Sequence, residues 1–448
     1  MHISIIETSS LGDRSYLVSD GRSAVVIDPQ RDIDRVLSLA EDGGVTITHV
    51  LETHIHNDYV TGGLELSRTV GAEYVVPAGD DVAYDRRPAV DGAIIDAGAI
   101  QLHVVHTPGH THHHVSYVLR DTSGTVCGVF TGGSMLHGTT GRTDLLGAEH
   151  TNDLTHAQYH SVRRLADELP DETAIYPTHG FGSFCSATPA SGDSSTIGDE
   201  RQTNPALTDD EQTYVDDLLA GLSAYPAYYA HMGAINKAGP APVDLSPPEP
   251  VDPVELHRRI AAGEWVVDLR KRTAFAAGHL AGTRGFELSD SFVTYLGWLY
   301  EWGRPLTLIG EGTEQIAAAR RELVRIGIDE LEGAAVGDVD GLRAGTELRS
   351  YRVASFAELA EVLGTKDIVV LDVRQSQEFD DGSIPGALNV PLHELLDRID
   401  EVPEGEVWVH CASGYRSSIA ASMIDRPGRT VVLIDDEYQN AEELGLAA

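Results

Sequence analysis

The chain has little cysteine, little lysine and a shortage of positive charge. Three cysteines, Cys127, Cys185 and Cys411, are scattered through 448 residues. A set so sparse and odd excludes a disulfide framework and points to a reducing, cytoplasmic setting. Lysine occurs only at Lys237, Lys271 and Lys366, and Lys and Arg together number 32 against 70 Asp and Glu. The formal charge of −38 repels phosphate backbones and anionic headgroups, which excludes nucleic acid and membrane surfaces as partners. No apolar run approaches the roughly 18–20 residues that a membrane helix needs. The opening MHISIIETSSLGDRSYLV has no basic segment ahead of an apolar run, so no secretory leader is expected.

What is present is the composition of packed domains, about three of them at roughly 150 residues each. Residues 239–253, GPAPVDLSPPEPVDP, hold six prolines in fifteen positions. Proline fixes φ and removes a donor, so this segment reads as an extended linker after a domain spanning 1–238. Beyond it lies an internal repeat. Residues 266–285 read VVDLRKRTAFAAGHLAGTRG, and residues 369–388 read VVLDVRQSQEFDDGSIPGAL. Each is an apolar strand ending in Asp-x-Arg (Asp268/Arg270; Asp372/Arg374), then a Phe, then a Gly-rich bend. Each is followed by another apolar strand and an Ala-rich helical pattern. Apolar strands alternating with helices imply parallel-sheet α/β units, here 254–345 and 351–448.

In the first domain, short strands in series end in histidines. THIHNDYVTGG carries His54 and His56, HTPGHT carries His110, and YPTHG carries His179, with Asp58 close by. Imidazoles converging from separate strand ends hold a borderline metal without a zinc-finger loop. In order and spacing THIHNDYVTGG, HTPGHT, FTGGSMLHGTTGRTDL and YPTHGFGSFCSA resemble the metal-site motifs of the metallo-β-lactamase fold, and the last two resemble its persulfide dioxygenase branch most. The resemblance covers most of 1–235. It implies an αββα sandwich with a metal in a cleft between sheet edges, and a homodimer as the oligomeric form. The fold class expected is therefore α/β and α+β multidomain, a sandwich followed by two parallel-sheet α/β domains.

The sequence departs from that pattern at two positions. The last His of H-x-H-x-D-H is Tyr59, and the aspartate expected in FTGD is Gly133. A 2-His-1-carboxylate iron site needs a carboxylate that glycine does not have. Three options follow: one Zn(II) or Fe(II) on His54, His56 and His110, a site rescued by Asp58 or another neighbour alongside His179, or no metal. The run His112, His113, His114 reads mostly as surface or supporting residues. Arg142, in GRTD, corresponds by resemblance to a substrate-binding position, with an ion pair to Asp144 as the structural alternative. Cys127 reads as a small core residue inside a strand, and Cys185 as a loop thiol near His179.

Residues 407–418 read VWVHCASGYRSS. An apolar strand ends at Cys411, the loop Ala412, Ser413, Gly414, Tyr415 runs to Arg416, and a helix follows. This places a thiol among backbone N–H groups at a helix N-terminus, where the dipole and Arg416 favour thiolate and would stabilise an anionic persulfide. The loop and the upstream LDVRQSQEFDDGSIPGALNVP resemble rhodanese-like sulfurtransferases over about 351–445, with Ser383 where that family often has His. The resemblance implies attack of Cys411 on a sulfane sulfur, from a low-molecular-weight thiol persulfide or thiosulfate, and transfer to an acceptor thiol. The first repeat resembles the same domain but runs from LTLIG into EGTEQ with no cysteine, and is expected to be structural. The combined expectation is a sulfur-metabolism enzyme. Its alternatives are a mononuclear-zinc hydrolase of thioesters with a sulfurtransferase accessory, and a metal-free scaffold serving the sulfurtransferase.

Overall fold

The computed structural model describes residues 1–190 and 192–447; Ser191 and Ala448, the latter closing the expected last domain, lie outside the described residues. The chain divides into two compact units, one of residues 1–244 with 322–328, the other of 245–321 with 329–448.

The first unit contains two six-stranded sheets. In one, β1 (His2–Thr8), β2 (Asp13–Ser19) and β3 (Ser23–Ile27) form an antiparallel meander, and β4 (Thr46–Leu51), β5 (Glu73–Pro77) and β6 (Arg87–Ala89) continue it in parallel. The other runs β7 (Ile94–Ala97), β8 (Ile100–His106), β9 (Val115–Arg120), β10 (Val126–Gly132), β11 (Ala174–Pro177) and β12 (Ser195–Thr196), antiparallel except between β10 and β11. Alternation along β3 explains why the whole strand is apolar. Val25 and Ile27 face the second sheet, where Leu102, Tyr117, Leu119 and Phe130 meet them. Ala24 and Val26 face the other way, against Val36 and Ala40 of α1 (Asp34–Asp42) and Leu64 and Leu66 of α2 (Gly63–Val70). Each such side chain removed from water contributes about 1.5–3 kcal/mol. The second sheet is covered by α3 (Ala148–Glu168), whose Tyr159, Val162, Leu165 and Ala166 form one buried face at helical spacing. The layers are αββα, as the motifs imply.

The second unit contains two all-parallel sheets. One holds β13 (Trp265–Asp268), β14 (Arg284–Gly285), β15 (Leu306–Gly310) and β16 (Gly333–Val336), ordered β14-β13-β15-β16. The other holds β17 (Arg352–Ala354), β18 (Val369–Asp372), β19 (Leu388–Asn389), β20 (Gly405–His410) and β21 (Arg429–Ile434), ordered β17-β21-β20-β18-β19. The repeat is thus two copies of one parallel α/β plan. The proline-rich segment ends differently from expectation. Val251 N–H donates to the Ala334 carbonyl at 2.9 Å, and Pro253 opens a helix, Pro253–Ala261, capped by Asp252. Proline suits that first helical position because its missing N–H has no intrahelical acceptor there. No helix among the described residues is long and apolar enough to cross a membrane.

Candidate functional site

The histidines lie just past the ends of β4, β8 and β11, and their rings are fully buried. One nitrogen each of His54, His110 and His179 lies within 4.8 Å of the other two. Their partners fix which nitrogen carries the proton. Thr53 Oγ1 donates to Asp28 Oδ2 at 2.7 Å, so it accepts from His54 Nδ1 at 2.9 Å. His110 Nδ1 donates to the Arg142 carbonyl at 2.7 Å. His179 Nδ1 donates to Asp13 Oδ1 at 2.9 Å, with Asp58 Oδ2 at 3.1 Å. The far nitrogens are then lone-pair donors. His54 Nε2 and His179 Nε2 face each other at 3.2 Å, and His110 Nε2 has no hydrogen-bond partner among the described residues. Three buried lone pairs converging on one point fit a divalent cation, with the outer hydrogen bonds orienting each ring. Burial depresses an imidazole, but Asp58 and Asp13 override it and lift His179 to about 10, so its Nε2 lone pair becomes available to a cation only as the cation displaces the proton there. Burial and the neighbouring rings push His54 well below its usual value, and His110 falls to about 3.

His56, expected beside His54 and His110, also has carboxylate partners. His56 Nε2 lies 3.3 Å from Asp28 Oδ1, 3.2 Å from Glu52 Oε2 and 3.0 Å from the Tyr59 hydroxyl. Tyr59 stacks on the ring, with centroids 4.3 Å apart. Burial opposes protonation, but the two carboxylates raise His56 to about 9. The Tyr59 hydroxyl that stands in place of the motif's histidine therefore helps pin His56 as an imidazolium on a pair of buried acids. His56 still forms part of a second overlapping group with Asp58 and His179, where a cation would have to displace a proton from the His56 ring. That group has the composition of a 2-His-1-carboxylate site. At Gly133 an added Cβ would stand 2.3 Å from the His110 ring, so no aspartate fits there with His110 in place.

Other residues find supporting roles. His114 accepts from the Gly133 amide at 3.0 Å and meets Thr107 Oγ1 at 2.8 Å, while His112 is exposed and His113 half-buried. The Arg142 guanidinium meets Asp144 (2.7 and 2.8 Å), the Phe184 carbonyl (3.1 Å) and the Ser223 carbonyl (2.6 Å), and is 2% exposed. It offers the site its backbone carbonyl, to His110, and its side chain to the surrounding fold. Cys185 is buried, and burial with the Asp58 and Asp13 charges pushes its thiol far up. Cys127, expected in the core, is exposed, because the register shift between Val126 and Gly128 takes it out of the alternation. Asp13, Asp28 and Glu52 were invisible as site residues. The left-handed φ of 50° at Asp28, just after the VVID strand, marks a held conformation that only the structure displays.

The second site is at the end of β20. Cys411 is 2% exposed, with Sγ 3.5 Å from Ser417 Oγ. Gly414 has φ of 87° and caps the helix Tyr415–Ile424. A Cβ at Gly414 would stand 2.1 Å from Asp435 Oδ1, so only glycine closes this loop. The first amides of that helix have no intrahelical acceptor, and the thiol precedes them by four residues. Arg416 is bound at two points by Glu378, at 2.6 and 2.8 Å. The Tyr415 hydroxyl donates to the Glu287 carbonyl at 2.7 Å, bringing in the first repeat. A narrow cleft lined by Tyr295, Trp298, Val373, Leu392, His393 and Arg416 opens beside the loop.

Comparison with known proteins agrees with this division. Residues 13–179 match the metallo-beta-lactamase superfamily and residues 355–443 the rhodanese-like domain. The mitochondrial persulfide dioxygenase of Homo sapiens is 33% identical over 208 residues, 46% of this chain and 73% of that protein. A hydroxyacylglutathione hydrolase of Rhodospirillum rubrum is 30% identical over 168 residues, 36% of this chain and 58% of that protein. The crystal structure of a metallo-beta-lactamase from Staphylococcus aureus aligns at TM-score 0.67 with 29% identity, covering 75% of this chain and 99% of its own. The chain belongs to the metallo-beta-lactamase superfamily, in the family of the persulfide dioxygenases, and joins that domain to a rhodanese-like domain.

Proposed function

We propose that this is a sulfur-metabolism enzyme of a reducing, cytoplasmic setting in which Cys411 carries sulfane sulfur as a persulfide and the N-terminal domain acts on persulfides at a metal. The observation that carries the first half is the Cys411 loop. A thiol sits at a strand end, on a loop closed by left-handed Gly414, at a helix N-terminus beside Arg416. Cys411→Ser is expected to abolish sulfur transfer from a persulfide donor to an acceptor thiol while leaving the unfolding midpoint near that of the native chain. Undiminished transfer would remove the assignment.

For the N-terminal domain, a divalent ion would supply Lewis-acid polarisation of a bound sulfur or carbonyl group. The rest falls to the chain. Asp13 and Asp58 hold the His179 proton at Nδ1, Thr53 and the Arg142 carbonyl do the same for His54 and His110, and burial excludes water. Two ligand groups sharing His179 separate two readings. His56, Asp58 and His179 suit Fe(II) and persulfide oxygenation. His54, His110 and His179 suit Zn(II) and hydrolysis of thioesters. Elemental analysis of two variants decides between them. Iron lost in Asp58→Ala but kept in His110→Ala supports the oxygenase, and zinc kept in Asp58→Ala but lost in His110→Ala supports the hydrolase. The first repeat, with no cysteine after β15, is assigned a supporting role.

A further inference from the structure

With 70 acidic residues against 32 basic ones, a cation that meets no carboxylate is unexpected in this chain. Several gather in one part of the second unit. Lys366 and Arg429 line a cleft of ≈ 680 Å³, together with Arg349 and Arg352. Arg349 is held by Asp425 at 2.5 and 2.7 Å, and Arg352 by Glu358 at 2.5 Å. Lys366 and Arg429 have no carboxylate ion-pair partner among the described residues. Arg429 donates through Nε to the Pro403 carbonyl at 3.2 Å, and through Nη2 to the Ile399 and Val402 carbonyls at 3.0 and 2.5 Å. The carbonyls orient the guanidinium without neutralising it, and its Nη1 makes no hydrogen bond among the described residues. Burial and the Arg426 charge hold it below its ordinary value, and Asp400 and Glu404 offset this only in part. Arg284 and Arg426 also lack a carboxylate partner among the described residues, and they line a smaller cleft of ≈ 120 Å³ that Asp425 borders as well.

This cleft is separate from the thiol. It takes Glu406, Arg429 and Thr430, at the starts of β20 and β21, whereas Cys411 follows the end of β20. At about 3.3 Å per residue, Glu406 and Cys411 stand roughly 17 Å apart along the strand. Uncompensated cations gain most from an anion that brings its own charge and acceptors, and two of them match a dianion. A phosphomonoester carries about −1.5 to −2 at neutral pH and offers three acceptor oxygens. The volume lies within the roughly 300–1,000 Å³ of small-molecule sites, far more than an inorganic anion fills. Tyr351, Val431 and Val432 supply an apolar wall for the remainder. A long polyanion is disfavoured, because the rest of a chain of charge −38 repels it. We propose that this cleft binds a phosphomonoester of nucleotide size, its phosphoryl group held by Lys366 and Arg429 and its organic body lying on Tyr351 and Val431. The site depends neither on the sulfur-carrier reading nor on the metal, and no bond is made or broken in it.

The test is calorimetric titration of the full chain with adenosine 5′-monophosphate, inorganic phosphate and adenosine. The nucleotide is expected to bind at least about tenfold more tightly than either of the others, since each of those lacks one half of the contact. Lys366 is exposed, so Lys366→Gln should leave the unfolding midpoint unchanged while weakening the nucleotide about tenfold. Arg429→Gln is expected to weaken it at least as much, with Arg429→Lys recovering part of the loss by restoring the charge. Equal nucleotide affinity in Lys366→Gln and the native chain overturns the proposal, because the phosphoryl group would then be held elsewhere. Inorganic phosphate binding as tightly as the nucleotide overturns the organic body, and adenosine binding as tightly overturns the part given to the cations. No nucleotide binding at millimolar concentration overturns the site as a whole.

Discussion

The two repeats of the second unit share a framework and differ in one loop. In the first, Arg270 binds Asp268 at 2.7 Å and the Gly278 carbonyl at 2.9 Å. In the second, Arg374 binds Asp372 at 2.7 Å and the Gly382 carbonyl at 2.7 Å. The same buried clamp ties each first strand to the bend that follows it. The copies part at the next strand. β15 ends at Gly310 and a helix starts at Thr313, leaving Glu311 and Gly312 between them. β20 ends at His410 and its helix starts at Tyr415, leaving Cys411 to Gly414. The fold tolerates the shorter loop, because strand pairing and the Asp–Arg clamp lie below it. The shorter loop holds neither a cysteine nor the left-handed glycine that closes the longer one. The two copies therefore share the strand framework and its clamp and differ in the length and composition of this loop.

Removing the clamp tests the shared half of that comparison and carries the largest expected effect. Asp372→Ala and Asp268→Ala each leave a buried guanidinium without its carboxylate, a loss of about 3–5 kcal/mol. Urea unfolding should show both variants destabilised to a similar degree. A silent Asp268→Ala would mean that the first repeat no longer depends on the clamp.

Restoring only the thiol tests the half that differs. Glu311→Cys, made in the Cys411→Ser background, is expected to gain no sulfur from a persulfide donor, since the loop still lacks the two residues and the left-handed glycine. Sulfur loading there would show that thiol identity, not loop length, separates the copies.

The smallest effect concerns the contact between them. Asp425 of the second repeat accepts from Arg349 at 2.7 and 2.5 Å and meets His279 of the first at 3.1 Å. Burial raises its carboxyl, but the hydrogen bonds from His279 and Arg349 outweigh that and hold it below 3.8. A lowered carboxyl stabilises above the ordinary aspartate value, and the contribution is lost as pH falls through the lowered one. Proteolysis of the connection near residues 345–351 should therefore quicken below about pH 4 and stay flat from neutral to mildly alkaline pH. Asp425→Asn should cleave at a rate that no longer changes across that acid range.

Much of this was legible from local sequence. The Asp-x-Arg strands, the histidines at strand ends and the Cys411 loop each sit within a few residues of what defines them. The N-terminal site was legible only in part. His54 and His179 meet across 125 residues of sequence, and Asp13 and His179 across 166. No local pattern relates residues so far apart. The same holds for Arg142, whose guanidinium reaches the Phe184 and Ser223 carbonyls.

Periodicity and strand-end placement determined which elements form and which residue types are brought to their ends, because both follow from the local geometry of the chain. Which nitrogen faces which, whether His56 joins the other imidazoles or is drawn to Asp28 and Glu52, and which carboxylate holds Arg416 were decided only by the tertiary structure. Those outcomes depend on which buried charges and hydrogen-bond partners the packing brings together, and a buried polar group goes to whichever partner satisfies it.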